Sequence, residues 1–382
     1  MDPLLKALQR QQSEMVAMLR QFVEAESPST NKPAVDLCGA IIAKMAQQMG
    51  ARVRLFSSRK TGNNVRLEFS SHGTPAARQI LLLGHMDTVW KLGTLRRMPF
   101  RVRQGRAYGP GAYDMKAGIV VALFAIRSLQ ELGVPLKSNV VLLVNADEEI
   151  GSPSSRPITE REGRRSDCVL VVEGAHGPRG ALKTARKGVG EFEIHVQGRA
   201  AHAGIEPEKG ASAISEIAKQ LLYIESIADI KRGITINTGI VQGGSRSNVI
   251  PAEAIAKVDA RIVRAKDAAR IEKRLHGLRP FDRRTRVTVT GGFNRPPMER
   301  TAQTVALFER ARRLARPLGI SLTETAVGGG SDGNFTAALG VPTLDGLGAV
   351  GDGAHAAHEH VVIRELPRRA ALLAHLIASL AS

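Results

Sequence analysis

Apolar residues along this chain fall into short unbroken runs separated by longer stretches of helical period. The sharpest run is 139–152, NVVLLVNADEEIGS, where Val140 to Val144 pass without a polar break before Asn145, Asp147, Glu148 and Glu149 arrive together. A run this short and pure predicts a strand buried on both faces, as in parallel sheets. Similar runs occupy 80–83, ending in Gly84-His85-Met86-Asp87, and 168–175, which carries Glu173. Segments 52–56 and 64–69 alternate like strands. Helical patterns cover 1–25, 33–49 and the stretch from about 117 to Leu132, the last two closed by Gly50 and Gly133. Strands alternating with helices predict an α/β fold with a mostly parallel central sheet, whose ligands gather beyond the carboxyl ends of the strands. His85, Glu148, Glu149 and Glu173 fall at such ends.

From about Gly188 the texture changes. Strand patterns at 188–197, 234–241, 252–263 and 286–290 alternate with helical patterns at 210–227 and 265–278. The order β-α-β-β-α-β predicts a ferredoxin-like α+β unit inserted into the first domain. The expected division is therefore 1–185 with 297–382 as one discontinuous domain and 186–296 as the insert, with Asn294-Arg295-Pro296-Pro297 as the exit hinge. A helix (301–317), a Gly-rich turn (328–334), a strand (341–346), a second Gly-rich loop (346–361) and a last helix complete the pattern.

Composition narrows the function classes. The 382 residues are 43% hydrophobic and 24% charged, ordinary values for a globular chain, and their length favours two domains. Net charge is +18, which suits an anionic partner, yet aromatics are only 4% and the arginines are dispersed. A base-stacking platform is poorly supplied, so the expectation is a solvated surface that steers anions rather than nucleic-acid binding. Cys38 and Cys168 lie far apart in apolar patterns and predict buried free thiols. No run approaches the ~20 apolar residues of a membrane span, and the N-terminal stretch lacks the pattern of a signal peptide. A cytoplasmic protein is expected.

The candidate chemistry is metal-assisted. Without a cysteine cluster, imidazole and carboxylate are the available zinc ligands. In His85-x-Asp87 the two side chains of an extended segment share a side, so Asp87 is placed to orient the imidazole. Asp114, in a Gly-rich turn before a helix, could bridge two metals. Near the C-terminus His355, His358 and His360 crowd one loop, and His355-x-x-x-Glu359 offers an imidazole with a carboxylate behind it. Glu148 and Glu149, read as neighbours on an extended strand end, would point opposite ways, one to metal and one to water. His72, His176 and His195 have no such context.

Seven motifs occur in order: HMDTV (85–89), GAYDMKAG (111–118), DEEIGS (147–152), VVEGA (171–175), GRAAHAG (198–204), NVIP (248–251) and GAHxxxEHV (353–361). Together they resemble the di-zinc aminoacylase/carboxypeptidase metallopeptidase family, and most of all its bacterial glutamate carboxypeptidase branch. The resemblance implies a zinc-exopeptidase-like catalytic domain and a lid/dimerisation insert. It makes His85 and Glu173 ligands of one Zn2+, Glu149 and His355 ligands of a second, Asp114 their bridge and Glu148 the general base. It also implies a cis peptide after Asp114, and a homodimer in which His202 reaches the neighbouring subunit's site. Asn248, Arg261 and Arg295 would hold a substrate carboxylate, Arg295 as a bidentate clamp. The implied reaction is hydrolysis of the amide bond to a C-terminal amino acid, glutamate above others, in N-acyl, peptidyl or folate-type substrates. A deacylase or desuccinylase of the same family is the alternative, and a non-catalytic basic binding protein the third reading.

Overall fold

A computed structural model describes residues 2–70 and 79–381; His72 lies outside them. The chain divides into two units, the first comprising Met1–Ala185, Arg300–Val327 and Ser331–Ser382, the second Arg186–Glu299 with Gly328–Gly330.

In the first unit the long strands of the central sheet are β1 (Arg52–Phe56), β2 (Asn64–Phe69), β3 (Gln79–His85), β4 (Asn139–Asn145) and β5 (Ser166–Val171). They form one sheet in the order β1-β2-β4-β3-β5, completed by the short strand Thr343–Leu344. β3 pairs in parallel with both β4 and β5, whereas β1 and β2 are antiparallel additions at one edge. All seven residues of β3 are buried, and β4 is buried from Val140 onward, so apolar side chains fill both faces. The helices Ala117–Glu131 and Glu365–Leu380 bury almost their whole length in the same core. The N-terminal stretch is two helices, Pro3–Arg10 and Gln12–Glu24, rather than the single one its periodicity suggests. Breaking at Gln11 lets Leu4, Leu5 and Leu8 enter the core at a different angle from Met15, Leu19 and Phe22. Cys38 and Cys168 are buried free thiols.

The second unit contains β6 (Gly188–Gln197), β7 (Thr235–Gly243), β8 (Glu253–Ile262) and β9 (Arg286–Arg295). Its sheet runs β7-β8-β6-β9, antiparallel throughout. In β6 and β8 burial alternates strictly, with Ala254, Ala256, Val258, Ala260 and Ile262 of β8 turned to a separate core. The helices Ala213–Glu225 and Ala268–His276 join that core through Ile217, Ile224, Ile271 and Leu275. One face of this sheet is therefore covered by helices, as the ferredoxin-like order requires. Among the described residues, no helix is long and apolar enough to cross a membrane.

Candidate metal centre

The carboxyl ends of β3, β4 and β5 deliver the first groups. β3 ends at His85, which is 1% exposed. Its Nε2 lies 3.3 Å from Asp114 Oδ1 and 3.4 Å from Glu173 Oε1, the latter just beyond β5. On the other side, His355 Nε2 lies 3.2 Å from Asp114 Oδ2 and 3.2 Å from Glu149 Oε2. Asp114 thus turns one oxygen to each imidazole, and each imidazole meets one further carboxylate. Ligand atoms of His85, Asp114 and Glu149 all lie within 4.8 Å of one another.

This crowding is electrostatically unusual. Burial works against a charged His85, yet the carboxylates of Asp114, Asp87 and Glu173 outweigh it and hold the imidazole well above its ordinary value. Contacts with Asp114 and Glu149 push His355 up to about 10 despite partial desolvation. Burial would raise Asp114 too, but the two imidazoles hold it well below the carboxylate range. Burial, together with the Asp114 charge, raises Glu149 against the pull of His355. Each imidazole and the carboxylates facing it thus favour one another's charged forms.

The arrangement fits a cation better than a hydrogen-bond network. His85 Nε2 and Glu149 Oε1 are buried with no hydrogen-bond partner, although acidic oxygens stand close to the imidazole. Lone pairs that converge on one volume, instead of pointing at donors, are what a metal requires.

Backbone supports set these positions, and three differ from the sequence expectation. First, Glu148 and Glu149 do not continue an extended strand; β4 stops at Asn145 and Glu148–Ile150 is a 3-10 turn. The backbone N–H groups of Glu148 and Glu149 both donate to the Asp87 carboxylate, at 3.1 and 3.2 Å, which curls the segment. Second, Asp87 orients His85 mainly through its carbonyl, 3.0 Å from Nδ1, while its carboxylate stands at 3.4 Å and is occupied by that turn and by Ser29 Oγ. Third, Glu359 does not stand behind His355. Fully buried, it accepts N–H groups from Gly111 (2.9 Å), Tyr113 (2.9 Å), Asp114 (3.0 Å) and the Trp90 indole (2.9 Å). A carboxylate surrounded by four donors is strongly held, even though burial lifts its pKa to about 7. It ties the C-terminal loop to the turn carrying Asp114. That turn includes a cis Asp114–Met115 peptide, as the resemblance implies.

Sequence reasoning also missed several braces. Lys116, 1% exposed, donates to Phe22 O and Ala25 O at the end of the helix Gln12–Glu24, a favourable place for a cation. Asp332 accepts from Asn145 Nδ2 at 2.6 Å and from Ser152 Oγ, fastening the segment after β4. At Gly118 an added Cβ would come within 1.8 Å of Val172 O, so only glycine lets the helix begin so close to β5. Lys116 and Gly118 both lie in DMKAG, whereas no local pattern points Asp332 to the segment after β4.

The remaining predicted residues belong to the second unit. His202 is exposed, and its segment pairs with Val249, beside Asn248. Arg295, 5% exposed, ends β9 and packs against Gly330. Arg261 is engaged by Asp259, at 2.7 Å.

Residues 81–379 match the peptidase family M20/M25/M40. The chain belongs to that family. It is 30% identical to carboxypeptidase G2 of Pseudomonas sp. (strain RS-16), over 99% of this chain and 92% of that protein. It is 28% identical to acetylornithine deacetylase of Myxococcus xanthus, over 99% and 98%. Among solved structures, aminopeptidase PepT from Bacillus cereus superposes with a TM-score of 0.80 at 22% identity, covering 97% of this chain and 99% of the other. The Bacillus subtilis protein YXEP, described as a dinuclear metal binding peptidase, gives 0.71 at 15% identity, covering 98% and 99%. The α/β fold is that of the M20 peptidases, and the chain is a hydrolase of that metal-dependent family.

Proposed function

We propose that this chain is a two-zinc exopeptidase that releases a C-terminal amino acid, glutamate above others, from N-acyl, peptidyl or folate-type substrates. The observation that carries the reading is the division of Asp114 between two imidazoles, each with its own second carboxylate. His85 and Glu173 would hold one cation, Glu149 and His355 the other, and Asp114 both. When bound, two divalent cations supply Lewis acidity, acidifying water and polarising the amide carbonyl. Glu148 takes the proton from the attacking water and delivers it to the leaving nitrogen. Asp87 holds the backbone of Glu148 and Glu149 so that base and ligand keep fixed positions.

In the second unit, Arg295 is the group assigned to the substrate carboxylate, with Asn248 as a further candidate. Its burial at the end of β9 supports this, since a desolvated guanidinium binds a carboxylate more strongly than an exposed one. Arg261 has the weaker claim because Asp259 already neutralises it. The 30% identity with carboxypeptidase G2 supports a carboxypeptidase action, and the ordered motifs are what point to glutamate as the released residue. A homodimer through the second unit is part of this reading, with His202 donated to the neighbouring site to stabilise the oxyanion. The sheet edge strand β7 exposes Ile240 (48%) and Val241 (52%), a surface a second copy could cover.

Amino-acid release from a panel of N-acyl and folyl-glutamate substrates, with and without chelator, tests the reaction. Metal analysis should find two zinc ions per active chain; one or none would end the two-zinc reading. Similarity to acetylornithine deacetylase favours a second reading, an N-acyl-amino-acid deacylase. Arg295→Ala separates the two, because only the first predicts selective loss on glutamyl over neutral substrates.

A further inference from the structure

The first unit carries a cavity of about 870 Å³ that none of these roles uses. That volume lies within the roughly 300–1,000 Å³ of small-molecule sites. Its wall includes Val89 and Trp90, which directly follow the segment from His85 to Thr88, and Ala357, on the loop that bears His355. Trp90 is fixed by its indole N–H on Glu359, the same carboxylate that holds the Asp114 backbone. Cavity wall and candidate bridging ligand therefore share one anchor.

The lining is cationic and apolar together. Lys91, Arg96, Arg97 and Arg101 all border the cavity, and none of them makes an ion pair among the described residues. Glu26 lies beneath the turn, but its two oxygens are taken by the Gly93 and Leu95 N–H groups at 2.8 and 3.0 Å. It offsets one charge of four. The Arg101 guanidinium lies 5.3 Å from the Tyr108 ring centroid, and Leu92 is 59% exposed on the rim. Arginines dispersed over a convex surface are simply solvated. Four cations around one concavity repel one another, and an entering anion relieves that repulsion.

We infer that this cavity receives the acyl side of the substrate and selects acyl groups that carry an anionic substituent on an apolar or aromatic body. The inference rests on the exopeptidase reading for the position of the scissile amide, and adds a second anion opposite the released amino acid. Guanidinium pairs such as Arg96 and Arg97 suit a carboxylate, while Trp90 and Tyr108 suit a planar body.

N-benzoyl-glutamate and N-(4-carboxybenzoyl)-glutamate differ by one carboxylate on the acyl ring and provide the test. With zinc-loaded enzyme, kcat/KM should favour the carboxylated substrate by about tenfold or more. The preference should vanish in the double variant Arg96→Gln/Arg97→Gln and reverse in Arg97→Glu. Equal kcat/KM for the two substrates, or a preference untouched by the double variant, overturns the inference. If neither amide is cleaved, it is the exopeptidase reading that fails, and calorimetric titration of terephthalate against benzoate then decides the cavity. Terephthalate binding about tenfold tighter, through Arg96 and Arg97, upholds the site; equal binding overturns it. So does capture of a single-stranded oligonucleotide through the same arginines, which would mark a polyanion surface.

Discussion

The two halves of the candidate metal centre are built differently. His85 is the last residue of a central strand, buried, with parallel neighbours on both sides and Glu173 just past the adjoining strand. His355 sits on a loop at φ 62°, its side chain 51% exposed, and meets Glu149 from a 3-10 turn. The strand half inherits its geometry from the sheet hydrogen bonds. The loop half depends on the buried Asp87 carboxylate under the turn, and Glu359 ties its loop to the backbone of Asp114, which both halves share. A rigid scaffold needs no further brace, whereas a loop ligand is only as well placed as the groups that hold its chain.

Several measurements would break or sharpen that contrast. Largest should be Glu148→Gln, which leaves both halves intact and removes the base: kcat falls by about 10² to 10⁴ with metal content unchanged, and retained hydrolysis would contradict the role. Asp114→Ala should empty both halves at once, so metal analysis returning one tightly held ion would show that the aspartate does not join them. Glu359→Gln should loosen both halves, because the backbone it holds carries Asp114, which they share. An amide cannot accept from four N–H groups as a carboxylate does, and both metals should bind about 10–100-fold more weakly in calorimetry; unchanged affinities would argue against Glu359 as the brace of the Asp114 turn.

Acidity separates metal-free from metal-bound protein. The folded His355 value of about 10 exceeds the ordinary 6.5. Its raised pKa therefore stabilises the metal-free fold fully below about pH 6.5 and loses that contribution as pH climbs towards 10. Metal affinity runs the opposite way, because ligation needs the neutral imidazole, and should rise by up to about tenfold per pH unit over that window. Melting in chelator and calorimetry in buffers of different ionisation heat would show both trends; no proton release on binding would refute the protonated state. Smallest is a check on the core. Burial pushes the Cys168 thiol up to about 12, so the folded enzyme should resist alkylation at pH 8 and react on unfolding.

Much of this was legible in the chain. Unbroken apolar runs located β3, β4 and β5, and their polar ends located His85, Glu149 and Glu173. Alternation at 188–197 and 253–262 marked the one-sided sheet of the second unit. Errors arose where a polar residue pairs with distant backbone. Glu359 reads as a partner for its neighbour His355, yet its acceptors are filled from residues 245 and more positions away. The acidic run after β4 reads as extended, but Asp87 draws its N–H groups into a turn. The break at Gln11 likewise reflects two separate packing directions that a continuous helical period hides.

By itself, then, the amino-acid order determined the periods of its strands and helices, the fold class, the family and the kinds of ligand atom on offer, because these depend on near neighbours and on motifs. Only the tertiary structure decided which oxygen of Asp114 faces which imidazole, what Glu359 holds, and that the cations of 91–101 border a cavity. Those outcomes follow from the path of the folded chain, where hydrogen bonds and burial join residues that no local pattern connects.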